Sequence, residues 1–253
     1  MYDDNDLRPM NAGELVKVDL LPQLKETRKI IVKTCMYFFK GNLDIDNSPF
    51  KGFILTGPPG TGKTEVVKQA AREIDSKLGV VGEVEFLLID GASIAAPKWG
   101  EAEKKLRKVF HEVDDPHRRA KLILLFDDIE SLMLTRGTDL AKEWHYSMNS
   151  ILFHELDKVN PTNCMIFATT NRPDLVDDAI MTRLYHIEAP SLPIEQLMEV
   201  VDQILDSSYA EEFKKNKIRN VIMSRLEGME SPTIRDARHI TVVECIEKGV
   251  WSL

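Results

Sequence analysis

The stretch "GPPGTGKT", Gly57 to Thr64, follows the apolar run "FILT" at 53–56 and leads into a helical pattern. It meets G-x-x-x-x-G-K-[ST] at every fixed position, in the strand–loop–helix setting that the pattern requires. Gly57, Gly60 and Gly62 lack the Cβ that would keep backbone N–H groups from closing around phosphate oxygens, and Pro58, Pro59 and Thr61 complete the loop. The helix that follows adds the positive end of its dipole. Lys63 is placed to reach β and γ phosphates, and the Thr64 hydroxyl is a hard oxygen donor suited to Mg²⁺. A plain Gly-Pro turn is the bland alternative, and the strand before and helix after argue against it. The expected cofactors are therefore ATP and Mg²⁺.

Outward from this loop, apolar runs alternate with helical patterns: "FILT" (53–56), "VEFLLID" (84–90), "LILLF" (122–126), "CMIFATT" (164–170) and "YHIEAP" (185–190). That alternation predicts an α/β fold, a parallel sheet covered by helices. The intervening segments carry single-faced stripes at helical spacing. These are Val66, Ala70, Ile74 and Leu78; then Ala102, Leu106, Phe110 and Val113; then Trp144, Met148, Ile151, Leu152, Leu156 and Val159. After Pro190 and Pro193 only helical patterns remain, three of them, which predicts a small all-α lid. The expected division is residues 1–190 as the α/β nucleotide-binding domain and 191–253 as the lid. Ser231 with Pro232 is the expected cap and first turn of the last helix, and Gly249 its end.

Composition narrows the function classes. The 253 residues are 43% apolar, enough to fill a core, and carry a net charge of -8, which disfavours a broad nucleic-acid surface. The polar, acidic N-terminus is not a secretory signal, and no apolar run approaches the ~20 residues of a membrane helix. A cytoplasmic protein without membrane contact is expected. Cys35, Cys164 and Cys245 are widely spaced and read as buried thiols. The six histidines show no metal-ligand spacing, and "HELD" at 154–157 lacks the second His of a zinc-protease helix. No peptidase chemistry is visible.

A phosphate loop needs a second magnesium ligand at the end of another strand, and Asp127, closing "LILLF", answers that need. Here the chain resembles the AAA+ ATPases, and their AAA branch closely, over roughly residues 15 to 250. The resemblance rests on "GPPGTGKT", on "FDDIESL", on "FATTNRPDLVDDAI" and on "PKWGEAEKKLRKVF", in family order. It implies a P-loop core with a helical lid, assembled as a ring, six-membered in the family, that hydrolyses ATP at subunit boundaries and pulls a polymer through its pore.

Carried over residue by residue, Asn171 is similar to the sensor-1 residue that orients the attacking water or the γ-phosphate. Its strand should lie beside that of Asp127, and an amide both donates and accepts. Arg183, in "AIMTRLYHI", resembles an arginine finger acting on a neighbour's ATP, although a single arginine follows Met181 and Thr182 where relatives often carry two. Arg235, in "SPTIRDA", resembles a sensor-2 arginine, with Arg238 one turn on as its alternative. Trp99 corresponds to the substrate-gripping pore aromatic, with Lys98 beside it, and Arg136 and Lys142 lie in the second pore-loop position. Where the family usually places Glu as the base, this chain has Asp128, one methylene shorter, or roughly 1.5 Å short of the water, an error that can cost ~100-fold in rate. Asp128 is assigned as base and Glu130 as structural, with slow hydrolysis expected.

The expected function is an ATP-hydrolysing homo-oligomeric ring that remodels, unfolds or translocates a protein substrate, with adaptor or protease activity supplied by separate chains. Two alternatives stand: a DNA-associated loader or transposition-type ATPase, and a slowly hydrolysing ATP-gated assembly switch.

Overall fold

The computed structural model of the chain describes residues 8–41, 50–79, 82–94, 101–113, 117–132, 143–206 and 211–250. The phosphate-loop strand β2 (Gly52–Thr56) runs into helix α2 (Lys63–Leu78). Strand β3 (Val84–Asp90) follows, then the single turn α3 (Gly91–Ile94) and helix α4 (Glu101–Val113). Strand β4 (Lys121–Asp127), helix α5 (Glu143–Lys158), strand β5 (Cys164–Thr170), the short α6 (Asp178–Met181) and strand β6 (Tyr185–Glu188) complete the alternation. Ahead of them lie a two-residue strand β1 (Met10–Asn11) and helix α1 (Pro22–Phe39).

The six strands lie in the order β1-β3-β4-β5-β2-β6. All pairings are parallel except β1 with β3, which is antiparallel. Strand β1 was not foreseen, since two residues carry no periodicity. The fold is thus mixed α/β with a mostly parallel sheet flanked by helices, as the sequence pattern requires. Strands β2 and β5 are buried along their whole lengths, the signature of a sheet covered on both faces. Phe53 and Phe167 stack across them with centroids 5.3 Å apart. Each such buried side chain contributes about 1.5–3 kcal/mol. At Gly52 any Cβ would collide with the carbonyl of Ile166, so glycine is what lets β2 lie this close to β5.

The helical stripes fill the core as their spacing demands: Val66, Ala70 and Ile74 on α2, Ala102, Leu106 and Phe110 on α4, and Met148, Ile151, Leu152 and Leu156 on α5. The three cysteines are buried and unbridged. Among the described residues no helix is long and apolar enough to cross a membrane.

The chain divides into two compact units. The first comprises residues 1–19, 26–57 and 63–188; the second comprises 20–25, 58–62 and 189–253. The second unit is built on α7 (Ile194–Asp206), α8 (Glu212–Glu227) and α9 (Ile234–Glu247). The cap of α9 corrects the sequence expectation. Thr233, not Ser231, is the N-cap: its hydroxyl accepts from Asp236 N–H while the Asp236 carboxylate accepts from Thr233 N–H, a reciprocal capping box. Ser231 loses because it has no acidic residue three positions on with which to close such a box. Gly249, at φ +64, terminates the helix.

Candidate functional site

Sheet register brings the first unit's polar groups together at the carboxyl ends of four neighbouring strands, where open parallel sheets bind ligands. Asp90 is paired with Asp127, Phe126 with Ala168, and Thr56 with Thr170. The loops after β2, β4 and β5 therefore leave the sheet side by side. Thr56, immediately before the phosphate loop, is hydrogen-bonded to His186 Nε2 at 2.6 Å, which anchors the loop's entry.

Lys63 is 6% exposed, and its ammonium donates to the Gly57 carbonyl at 2.9 Å and to Asn171 Oδ1 at 2.7 Å. Thr64 Oγ donates to Asp127 Oδ1 at 2.7 Å. A hydroxyl and a carboxylate this close, at the start of a helix, are hard oxygen donors that fit a magnesium ion. The glycines fit the phosphate half of the site: Gly57, Gly60 and Gly62 adopt φ of +138, +82 and +91, values open to residues without a Cβ. Thr61 Oγ closes the loop on the Pro58 carbonyl at 2.9 Å.

Asp128 departs from what sequence alone implies. It is the one described non-glycine residue with positive φ, at φ 52 and ψ 55, the turn by which β4 enters the short 3₁₀ segment Ile129–Ser131. Aspartate is among the few side chains that visit this left-handed region readily. Asn171 Nδ2 donates to Asp128 Oδ1 at 2.9 Å, so Lys63, Asn171 and Asp128 form one hydrogen-bonded chain. Burial, then the neighbouring charges of Asp127 and Glu130, raise the Asp128 carboxyl above the ordinary carboxylate range, with Lys63 opposing them.

Glu130 points elsewhere. Its Oε1 accepts the backbone N–H of Asn171 at 3.0 Å, so it braces the loop that carries Asn171. Its Oε2 is shielded from solvent and has no hydrogen-bond partner among the described residues.

Arg183 lies away from this cluster, in a two-pronged pair with Asp157 (2.7 and 2.9 Å) and with Nη1 on the Ala179 carbonyl at 2.9 Å. The Phe153 ring lies 5.3 Å from its guanidinium carbon. The hydrogen bonds of this pair lower the Asp157 carboxyl and raise the guanidinium. In the second unit a Cβ on Gly60 would stand 2.8 Å from Arg235 Cβ and 2.9 Å from Thr233 Oγ, so the start of α9 lies directly against the loop Pro58–Gly62. Lys98, Trp99, Arg136 and Lys142 fall outside the described residues.

Three contributors were missed from sequence. In the sequence Asp90 is only the end of an apolar strand; its register partner is Asp127. Thr169 is 1% exposed and hydrogen-bonded to Asp127 and to the Asp128 N–H. Gly91 sits in no motif, yet a Cβ there would stand 2.5 Å from the Asp128 carbonyl. Only strand order and register reveal these juxtapositions.

Residues 53–191, more than half of the chain, match the family described as "ATPase family associated with various cellular activities (AAA)". A Corynebacterium diphtheriae protein named "AAA ATPase forming ring-shaped complexes" is 32% identical over 138 residues, 54% of this chain and 27% of that protein. A "Proteasome-associated ATPase" from Kribbella flavida is 32% identical over 145 residues, 55% of this chain and 25% of that protein. The match thus spans about a quarter of the length of these relatives. A chain of the E. coli MS115-1 HORMA:CdnC:Trip13 complex superposes with a TM-score of 0.73 over 95% of this chain and 88% of its own, at 15% identity, a likeness of fold.

Proposed function

The chain belongs to the AAA family of ATPases, and from that premise we propose that it hydrolyses ATP as a self-assembled ring, six-membered, that remodels or unfolds a protein substrate. The observation that supports this reading is the hydrogen-bonded row Lys63–Asn171–Asp128 beside the Thr64–Asp127 pair, an ammonium, an amide and a carboxylate in reach of one another, which suits binding of phosphate, orientation of a water and acceptance of its proton. Thr64 and Asp127 would hold Mg²⁺, which supplies charge neutralisation for the phosphates. Lys63 would hold the β and γ phosphates with its buried positive charge, and Asn171 Oδ1, which it now engages, would then be free for another donor. Asn171 would then orient a water beside Asp128. The Asp128 carboxylate would take the proton as the water oxygen bonds to the γ-phosphorus and the bond from that phosphorus to the bridging oxygen breaks, with ADP leaving. Its raised proton affinity suits a base better than that of an ordinary aspartate would. Glu130 keeps Asn171 in place through the backbone.

Arg183 is proposed to act on the neighbour's nucleotide after exchanging Asp157 for phosphate, Arg235 to report on nucleotide from the lid, and Lys98 and Trp99 to grip the polymer. Residues 1–190 and 191–253 are proposed as the two functional domains. The names of the relatives support a ring and a protein substrate for this chain. A cytoplasmic setting is proposed from the three unbridged thiols. A second reading, an ATP-gated assembly switch with slow turnover, is favoured by the resting pairs Asn171–Asp128 and Asp157–Arg183, which both must open before chemistry.

The experiment is ATP-driven loss of fluorescence from a folded fluorescent protein carrying an unstructured tail. Loss with wild type and not with Lys63→Ala supports the reading. No loss, with salt-sensitive binding of a labelled oligonucleotide instead, replaces it with the DNA-associated one.

A further inference from the structure

Thr169 lies within the stretch "FATTNRPDLVDDAI" without a role assigned to it there, and its hydroxyl joins the two aspartates of the site. It donates its proton to Asp127 Oδ1, and its oxygen accepts the Asp128 N–H at 3.1 Å. One hydroxyl has the proton and lone pairs for both bonds at once. The first bond fixes the rotamer of the carboxylate that also accepts from Thr64 at 2.7 Å. The second satisfies the backbone N–H of Asp128, the residue in the left-handed region, and so holds one chosen conformation of a turn that aspartate can enter or leave. On the opposite side of the same turn, Gly91 leaves just enough space for the Asp128 carbonyl. The turn that aims Asp128 at Asn171 is thus held by a hydroxyl on one side and by a missing side chain on the other.

We propose that Thr169 is a positioning residue: its hydroxyl couples the magnesium-side carboxylate of Asp127 to the left-handed turn carrying Asp128, so that the metal end and the base end of the site are set together. This rests on the reading of the cluster as a Mg²⁺–ATP site. Valine keeps the shape of threonine and removes both bonds, leaving Asp127 Oδ1 with one fewer donor and the Asp128 N–H unmet. Serine keeps both bonds and gives up a methyl group.

The test is titration of the full chain with a fluorescent ATP analogue, with and without Mg²⁺, for wild type, Thr169→Val and Thr169→Ser, with thermal melts of each. Affinity without Mg²⁺ should stay within about twofold in all three, since the Thr169 hydroxyl is taken up by Asp127 and the Asp128 N–H. The tightening produced by Mg²⁺ should fall roughly tenfold in the valine variant, as expected for losing a hydrogen bond to a charged acceptor, and return in the serine variant. In turnover assays the valine change should lower kcat more than it raises KM. A valine variant that melts below the assay temperature is replaced by Thr169→Ala, read against Thr169→Ser in the same way. Full Mg²⁺ tightening in the valine or alanine variant overturns the inference, as does a serine variant as impaired as valine, which would assign the effect to methyl packing. Wild type that gains nothing from Mg²⁺ overturns the nucleotide-site reading itself, and this inference with it.

Discussion

Replacing Asp128 by Asn removes one negative charge and almost nothing else. Asparagine tolerates the left-handed backbone as aspartate does, and its carbonyl still accepts from Asn171 Nδ2. A base that cannot take a proton should lower turnover by about 10²- to 10⁴-fold, with Mg²⁺–ATP affinity kept within a few-fold. Stability should move the other way. Burial and the charges of Asp127 and Glu130 raise the Asp128 carboxyl, so the folded state holds that proton more tightly than the unfolded chain. A raised value contributes stability that is full below the ordinary carboxylate range and is lost as pH rises through the folded value. At neutral pH the nucleotide-free wild type therefore carries a charge penalty that Asp128→Asn relieves. Asp128 is largely solvent-facing, so the gain is screened to about 1 kcal/mol at most, or roughly 2–4 °C in melting temperature. The gap should close on acidification, as the wild-type carboxyl becomes protonated in both states. The assays are Mg²⁺-dependent phosphate release, nucleotide titration and melting curves at several pH values. Turnover retained in Asp128→Asn and abolished in Glu130→Ala would refute the assignment of the base.

Glu130→Ala should instead cut turnover by roughly tenfold, because it frees the backbone of Asn171 without touching the proton acceptor, as phosphate release checks. Asp128→Glu, although it restores the residue usual in the family, should not accelerate the enzyme, because glutamate is poorly suited to the left-handed turn; kcat at or below wild type is expected. Gly91→Ala should lower the melting temperature and kcat together, since its Cβ would stand 2.5 Å from the Asp128 carbonyl and displace the turn. Arg183→Ala should leave nucleotide titrations unchanged and lower turnover by about 10³-fold, whereas Asp157→Asn, loosening an exposed pair, should shift the melting temperature by little.

The sheet and its phosphate loop were legible because each rests on a local pattern: four- to seven-residue apolar runs, helical stripes, and eight consecutive residues with glycine where positive φ is needed. What escaped depends on distance along the chain. Thr169 reads as one more strand residue until register sets it beside Asp127, 42 positions away. Arg183 looked available until folding brought Asp157 to it from 26 positions earlier. The twin aspartates of "FDDIESL" contain no signal that the second is left-handed; that follows from how β4 meets its 3₁₀ turn. The cap at Thr233 is a local pattern, Thr-x-x-Asp, which the neighbouring Ser-Pro, itself a common helix start, masks.

Shared active sites are the core of the proposed function, and they make one quantity depend on crowding of subunits. That quantity is Mg²⁺-dependent ATP turnover per subunit, measured across a hundredfold range of protein concentration with particle mass followed in parallel. Turnover per subunit should rise in step with the ring-sized fraction and then level off. Turnover that is independent of concentration, in particles of single-chain mass, would contradict a shared-site ring.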